Sequence, residues 1–451
     1  MIRALAVFAP TLLFIFVRPG RIKEVWFAAA GALLAWLLGL VSPDDAISLL
    51  RETGDVLLFL AGMLVVAYVT DRAGVFERLA LWTARAARGR GRLLFAGVYL
   101  IGVLVTVWLS LDTTAVILAP IVFSLARALD IPPLPFVFAT TYVANTASLF
   151  LPVSNLTNLI VLGRLSIPFW EYARVMFLPG LLAVVVNLLL LFWLFRALIP
   201  KAYDVRRAER FEYGVVAAGG EGVGHGVYGG AAADVSLPAE EPATKSRECV
   251  AVTVAGLLAV LAGLAGAPFW GIGLWVPACA GAAALAAYHM IRAGLKPRAL
   301  AKDVSWDLLP FVFSLFLLLR GVARAGLSQW AAGLVAAWAS GQSYGELLAV
   351  AAATALGSNL INNLPMVLVA VESLAAPIEA GALHRASLYA ALIGTNLGPN
   401  LTVIGSLATM LSLSLISKKG LEVPGLTYLK IGLITVPALL AAAVLGLWLS
   451  L

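Results

Sequence analysis

Residues Gly394 to Asn400 read Gly-Thr-Asn-Leu-Gly-Pro-Asn in the middle of an apolar run, Ala386 to Leu415, long enough to cross a bilayer. Two glycines, a proline, two asparagines and a threonine interrupt a helix there rather than extend it. Inside lipid a broken helix strands backbone N–H and C=O groups, which is tolerated only where the break faces protein or a wet cavity. Counting back 251 residues from Asn396 reaches Asn145, within Ala144-Asn145-Thr146-Ala147-Ser148, another polar interruption of another apolar run. The paired breaks demand a membrane body that surrounds them.

Apolar residues make up 62% of the 451 and charged residues only 12%, too few to clothe a soluble surface. The fold class is an all-α polytopic membrane protein. Its net charge of +7 is then loop charge on the inner side and no sign of nucleic-acid binding. Cys249 and Cys279 cannot make a disulfide framework and lack metal-site spacing, and His225, His289 and His384 are scattered. No cofactor or metal is expected. Paired acids or a Ser/His arrangement inside the apolar runs are also missing, so the chain does not read as an enzyme.

The second half repeats the first. Arg72-Ala73-Gly74 matches Arg324-Ala325-Gly326 at an offset of 252. Asp112 matches Asn363, Asn145 matches Asn396, and Ser154-Asn155-Leu156 matches Gly405-Ser406-Leu407, all at 251. A near-constant offset through four elements marks an internal repeat, common in secondary transporters. Residues 1–199 form one membrane repeat and 248–451 the other. Between them, 200–247 carries Arg206, Arg207, Arg210 and a Gly-rich tract, and reads as a flexible cytoplasmic linker. Threading the apolar runs in order puts Arg18 to Lys23, Arg72 to Arg92, the linker, Arg292 to Lys302 and Lys418-Lys419 on one face, the cytoplasmic one. The second half then runs inverted. The plan is two inverted-topology repeats with about ten transmembrane helices, two re-entrant hairpins and two broken helices.

Each repeat has two polar interruptions. One is a tip between apolar arms, Ser110-Leu111-Asp112-Thr113-Thr114 in the first half and Gly357 to Pro365 in the second. The arms are about 25 Å long at 1.5 Å per residue, short for a full crossing and suited to a hairpin. The other is the broken helix, at Asn145–Asn155 and at Gly394–Asn400. Freed helix ends and Asn, Thr and Ser side chains would converge there on one polar pocket. Its candidate substrate-binding residues are Asn145, Thr146, Asn363, Asn396, Asn400 and Thr113. Asp112 is the only acid in the four tips. A charged carboxyl is costly at the midplane, which suits a proton carrier; the plainer role is a helix cap. Glu372, the deepest acid in its own segment, is the reserve candidate for coupling.

Leu111 to Leu118 (Leu-Asp-Thr-Thr-Ala-Val-Ile-Leu), Asn362-Asn363-Leu364-Pro365 and Gly394 to Asn400 resemble the motifs of the bacterial arsenite permeases, the ArsB arsenical pump membrane proteins. The resemblance covers nearly the full length. It implies export of arsenite and antimonite across the bacterial cytoplasmic (inner) membrane in exchange for protons, with a separate soluble ATPase subunit in some members. It also implies the hairpin and broken-helix plan of the wider ion-transporter superfamily. Sodium-coupled dicarboxylate carriers of that superfamily bear Ser-Asn-Thr motifs, of which Ser154-Asn155 and Ser358-Asn359 are the fragments here. A sodium- or proton-coupled carrier of small organic anions is therefore the alternative. Arsenite at neutral pH is mostly an uncharged trihydroxide, and none of the four tips contains Lys or Arg. Thiolates would hold trivalent arsenic firmly, whereas a carrier must release it. Oxygen-type recognition is expected, with packing roles for both cysteines.

Overall fold

Apolar runs closed by capping side chains and turn residues fold as helices whose ends the sequence marks. The computed structural model describes residues 2–17, 23–165, 167–208, 247–325 and 343–451 and has no strand among them. Helices α1 (Ile2–Val17) and α2 (Glu24–Leu37) lead into α3 (Pro43–Arg72), which starts on a capping box between Ser42 and Asp45. After α4 (Val75–Ala86), α5 (Gly91–Trp108) and α6 (Leu111–Ala128) form the first hairpin. The arms of the first broken helix are α7 (Leu134–Ala147) and α8 (Leu156–Leu165), and α9 (Phe169–Phe195) closes the half.

The order then recurs. It runs α10 (Arg247–Gly266), α11 (Trp275–Arg292), the short α12 (Pro297–Asp303) and α13 (Leu308–Arg324). The second hairpin is α14 (Tyr344–Ile361) with α15 (Asn363–Glu379), the second broken helix α16 (Ala386–Leu397) with α17 (Leu407–Lys418), and the last helix α18 (Gly425–Ser450). Among the described residues, 8 helices are long and apolar enough to cross a membrane. The chain is an all-α, multi-pass membrane protein.

Exchanging each helix for its counterpart maps one set of contacts onto the other. Helix α2 packs on α13 as α11 packs on α3, and α5 on α7 as α14 on α16. Counterparts α9 and α18 cross each other directly. Phe138 of α7 stacks with Tyr428 of α18 at 5.5 Å between ring centroids, and its counterpart Tyr389 of α16 meets Tyr172 of α9 at 6.1 Å.

Polar contacts between distant segments join ends that loop charge assigns to the same face. Lys23–Asp307 (2.7 Å), Arg207–Asp130 (2.7 Å) and Lys419 Nζ to Ser124 Oγ (3.0 Å) lie at ends placed inside. Arg320–Glu52 (3.0 Å), Arg164–Glu379 (3.2 Å), Arg385–Glu171 (3.7 Å) and Arg324–Asp45 lie at ends placed outside. Trp170 and Phe269, from two outside turns, meet at 5.7 Å. Of the segment read as a linker, 209–246 lies outside the described residues. Its first residues are docked rather than free: Tyr203 N donates to Gly89 O at 2.9 Å and its hydroxyl to Ala84 O at 2.5 Å.

Candidate functional site

The second interruption begins later than its glycines suggest. Helix α16 continues through Leu397, and the turns Gly398–Asn400 and Val403–Gly405 carry the break. Gly394 and Gly398 permit a close approach instead. A Cβ on Gly394 would fall 2.0 Å from Thr354 Oγ1, and one on Gly398 2.6 Å from the Ala355 Cα, so glycine lets α16 lie against α14. Asn145 and Asn396 therefore occupy corresponding last turns, of α7 and α16. The second arms begin on capping side chains: Thr157 N donates to Asn155 Oδ1 (3.2 Å), and Thr409 N to Ser406 Oγ (3.1 Å).

The two breaks are locked amide to amide across the repeats. Asn145 Nδ2 donates to Asn400 Oδ1 (2.9 Å) and Thr409 Oγ1 (3.2 Å). Asn396 Oδ1 accepts from Asn155 Nδ2 (2.7 Å) and Thr157 Oγ1 (2.8 Å), and its Nδ2 donates to Asn158 Oδ1 (2.8 Å). Asn158 and Thr409 are themselves 251 apart, so the two bonds to the second arms are counterparts. Asn400 Nδ2 reaches Thr146 Oγ1 (3.2 Å), which also accepts from Asn187 Nδ2 of α9 (3.0 Å). Asn145, Thr146, Asn396 and Asn400 are all buried to 1% exposure or less. The structure brings these four candidates together as one uncharged cluster.

Each hairpin tip rests against this cluster. Leu111 and Ala115 of the first tip share a small apolar contact group with Ala144 of α7 and Ala408 of α17. Ser110 caps that tip by accepting from Thr113 N (3.1 Å), and the Thr113 hydroxyl bonds Ser110 Oγ at 3.0 Å. Asp112 is half-buried, and among the described residues its carboxylate has no hydrogen bond or ion pair. At the second tip Asn362 turns the chain at a φ of 75°. Asn359 holds that tip to the break, donating to Gly398 O (2.8 Å) and accepting from Thr402 N (3.1 Å) and Oγ1 (2.6 Å). Asn363 is buried, and its amide is unpaired among the described residues.

Glu372 is not brought in. It faces outward on α15, nine residues past Asn363, roughly 13 Å along the helix axis. The cysteines also lie elsewhere: Cys279 on α11 contacts Leu58 O at 3.3 Å, and Cys249 on α10 packs 3.7 Å from His289 Nδ1. Asn158, Thr157, Thr409 and Asn187 take part although the sequence pattern marks none of them, and Asn359, marked only within the Ser358-Asn359 fragment, joins them. The 251-residue offset relates Asn158 to Thr409, and Asn187 is the single amide of its apolar run.

Comparison with known proteins places these features in a family. A family profile described as citrate transporter (CitMHS) matches residues 11–394. The arsenical pump membrane protein of Escherichia coli (strain K12) is 31% identical over 460 aligned positions, covering 100% of this chain and 99% of that protein. The arsenical pump membrane protein of Yersinia enterocolitica is 29% identical over 458, with the same coverage of 100% and 99%. Among solved structures, the YdaH transporter of Alcanivorax borkumensis shares the fold, with a TM-score of 0.57, 16% identity and 98% of each chain covered.

Proposed function

The chain belongs to the arsenical pump membrane proteins, within the citrate-transporter family, and from that premise we propose that it exports arsenite from the bacterial cytoplasm across the inner membrane in exchange for protons. Antimonite, with the same trihydroxide chemistry, is a second substrate. One observation carries the reading: an uncharged, amide-locked pair of helix breaks stands beside a hairpin tip whose single carboxylate is unpaired. A trihydroxide offers three O–H donors and several acceptors, which Asn363, Thr113 and the Asn145 carbonyl oxygen match without fixed charge. Asn396, Asn400 and Thr146 hold the breaks in register and complete the set when the lock opens.

Ionised Asp112 accepts a substrate hydroxyl in a charge-assisted bond; protonated Asp112 offers only the weaker, neutral acceptor. Proton uptake on the outer side therefore favours arsenite release, and proton loss on the inner side favours binding. The same carboxylate serves proton and substrate in turn, which is exchange. A soluble ATPase subunit is not required by this cycle. An organic anion would favour a guanidinium or ammonium partner, and no Lys or Arg belongs to the locked cluster or the tips.

Everted vesicles from a metalloid-sensitive strain test the reading. Respiration acidifies their lumen, so arsenite should accumulate and should be lost when an uncoupler is added. Asp112→Asn should cut gradient-driven uptake at least tenfold at an unchanged amount of membrane protein. Citrate accumulation in place of arsenite would reject the substrate assignment, and undiminished proton coupling in Asp112→Asn would return that residue to the role of a cap.

A further inference from the structure

A basic cleft of about 420 Å³ opens far from the helix breaks, where α5 begins and α9 ends, lined by Arg92, Pro132, Arg196 and residues 197–201 with Lys201. Its cations come from the first turn of α5, the end of α9 and the strap that follows. No carboxylate lines it, and among the described residues none of the three pairs with an acid. The strap is fixed in place. Gly91 N donates to Lys201 O at 3.4 Å, and a Cβ on Gly91 would fall 2.0 Å from Pro200 O, so only glycine allows this seating.

Depth and surroundings narrow what fits. The guanidinium of Arg92 lies 5.9 Å from the Phe192 ring centroid and that of Arg196 5.7 Å from Trp193. Aromatic residues bracketed by arginines mark headgroup level on the cytoplasmic side. On the same two helices, Leu93 of α5 and Leu189 and Trp193 of α9 are exposed apolar side chains. We propose that this cleft seats the phosphate of an anionic phospholipid of the inner leaflet, with its acyl chains lying along those side chains. Basic pockets between helices on the cytoplasmic side bind such headgroups through the same chemistry. A free anion would not use the apolar side chains.

The test uses the purified full chain in detergent with phosphatidylglycerol or phosphatidylcholine, read by native mass spectrometry and thermal unfolding. Phosphatidylglycerol should remain bound and raise the melting temperature, while phosphatidylcholine should do neither. Arg92→Gln/Arg196→Gln/Lys201→Gln should weaken phosphatidylglycerol binding on the order of a hundredfold. Arg298→Gln/Lys302→Gln, which removes cytoplasmic charge on α12, should keep it. Arg196→Gln alone, at an exposed position, should show part of the loss should the triple variant not fold. Unchanged phosphatidylglycerol binding in the folded cleft variants would overturn the proposal. So would inorganic phosphate giving the full shift, or an acidic peptide binding the cleft while phosphatidylglycerol does not.

Discussion

Asn396 has little hydrogen-bonding capacity left for a substrate, since its oxygen takes two bonds and its nitrogen gives one. Its removal would strand the buried Asn155 Nδ2, at a cost of about 1–3 kcal/mol, and leave Thr157 Oγ1 and Asn158 Oδ1 only their 3.5 Å contact with each other. Asn396→Ala should therefore lose arsenite resistance, and Asn158→Ala nearly as fully, with melting temperatures lowered in both. Asn363→Ala should differ, because its amide is unpaired: unchanged melting temperature, with KM for arsenite raised about tenfold as a substrate hydrogen bond is lost. A lowered melting temperature at normal KM would make Asn363 structural. Cys249→Ser/Cys279→Ser should still confer resistance, because neither thiol approaches the breaks; loss at normal expression would move arsenic binding to sulfur. Asn145 and Asn396 were legible as polar residues in apolar runs. Asn158 and Thr409 were not, because a polar residue just past a break looks like ordinary capping. Asn187 was hidden for the opposite reason: one amide does not disturb the pattern of a long apolar helix.

The hairpins and broken helices follow from where apolar runs stop and which side chains cap what comes next. Their existence could be read from the sequence, and the constant offset gave their order. The exact point of breakage could not. Local propensity assigns a helix stop to the first glycine, whereas α16 keeps Gly394 helical because the contact with Thr354 and Ala351 on α14 needs a residue without a Cβ. Gly394→Val should consequently separate the broken helix from its hairpin and cost at least about 1–3 kcal/mol in overpacking. The measurement is thermal unfolding in detergent. A melting temperature equal to the parent's would mean the two helices can part freely, and the glycine would then revert to a helix breaker.

At the scale of the whole molecule, the main helix packings appear twice with the two halves exchanged, and loop charge then assigns which way each half faces. Lys23–Asp307 and Arg207–Asp130 each join two ends that loop charge places inside, and Arg164–Glu379 and Arg385–Glu171 two ends that it places outside; the pairs fix which ends share a side, and which side that is rests on the charge. Single cysteines give a direct check in the Cys249→Ser/Cys279→Ser background. Asp204 follows α9 on an exposed turn, and Ala382 lies on the exposed turn between α15 and α16. Ala382 suits the purpose better than its neighbour Gly381, whose φ of 71° would strain a cysteine. Ala382→Cys should react with an impermeant maleimide in intact cells, and Asp204→Cys only in everted vesicles. Reaction of both from one side would break the inversion. The two breaks would then no longer present equivalent faces to opposite sides of the membrane, and exchange through a shared Asp112 would lose its geometric basis.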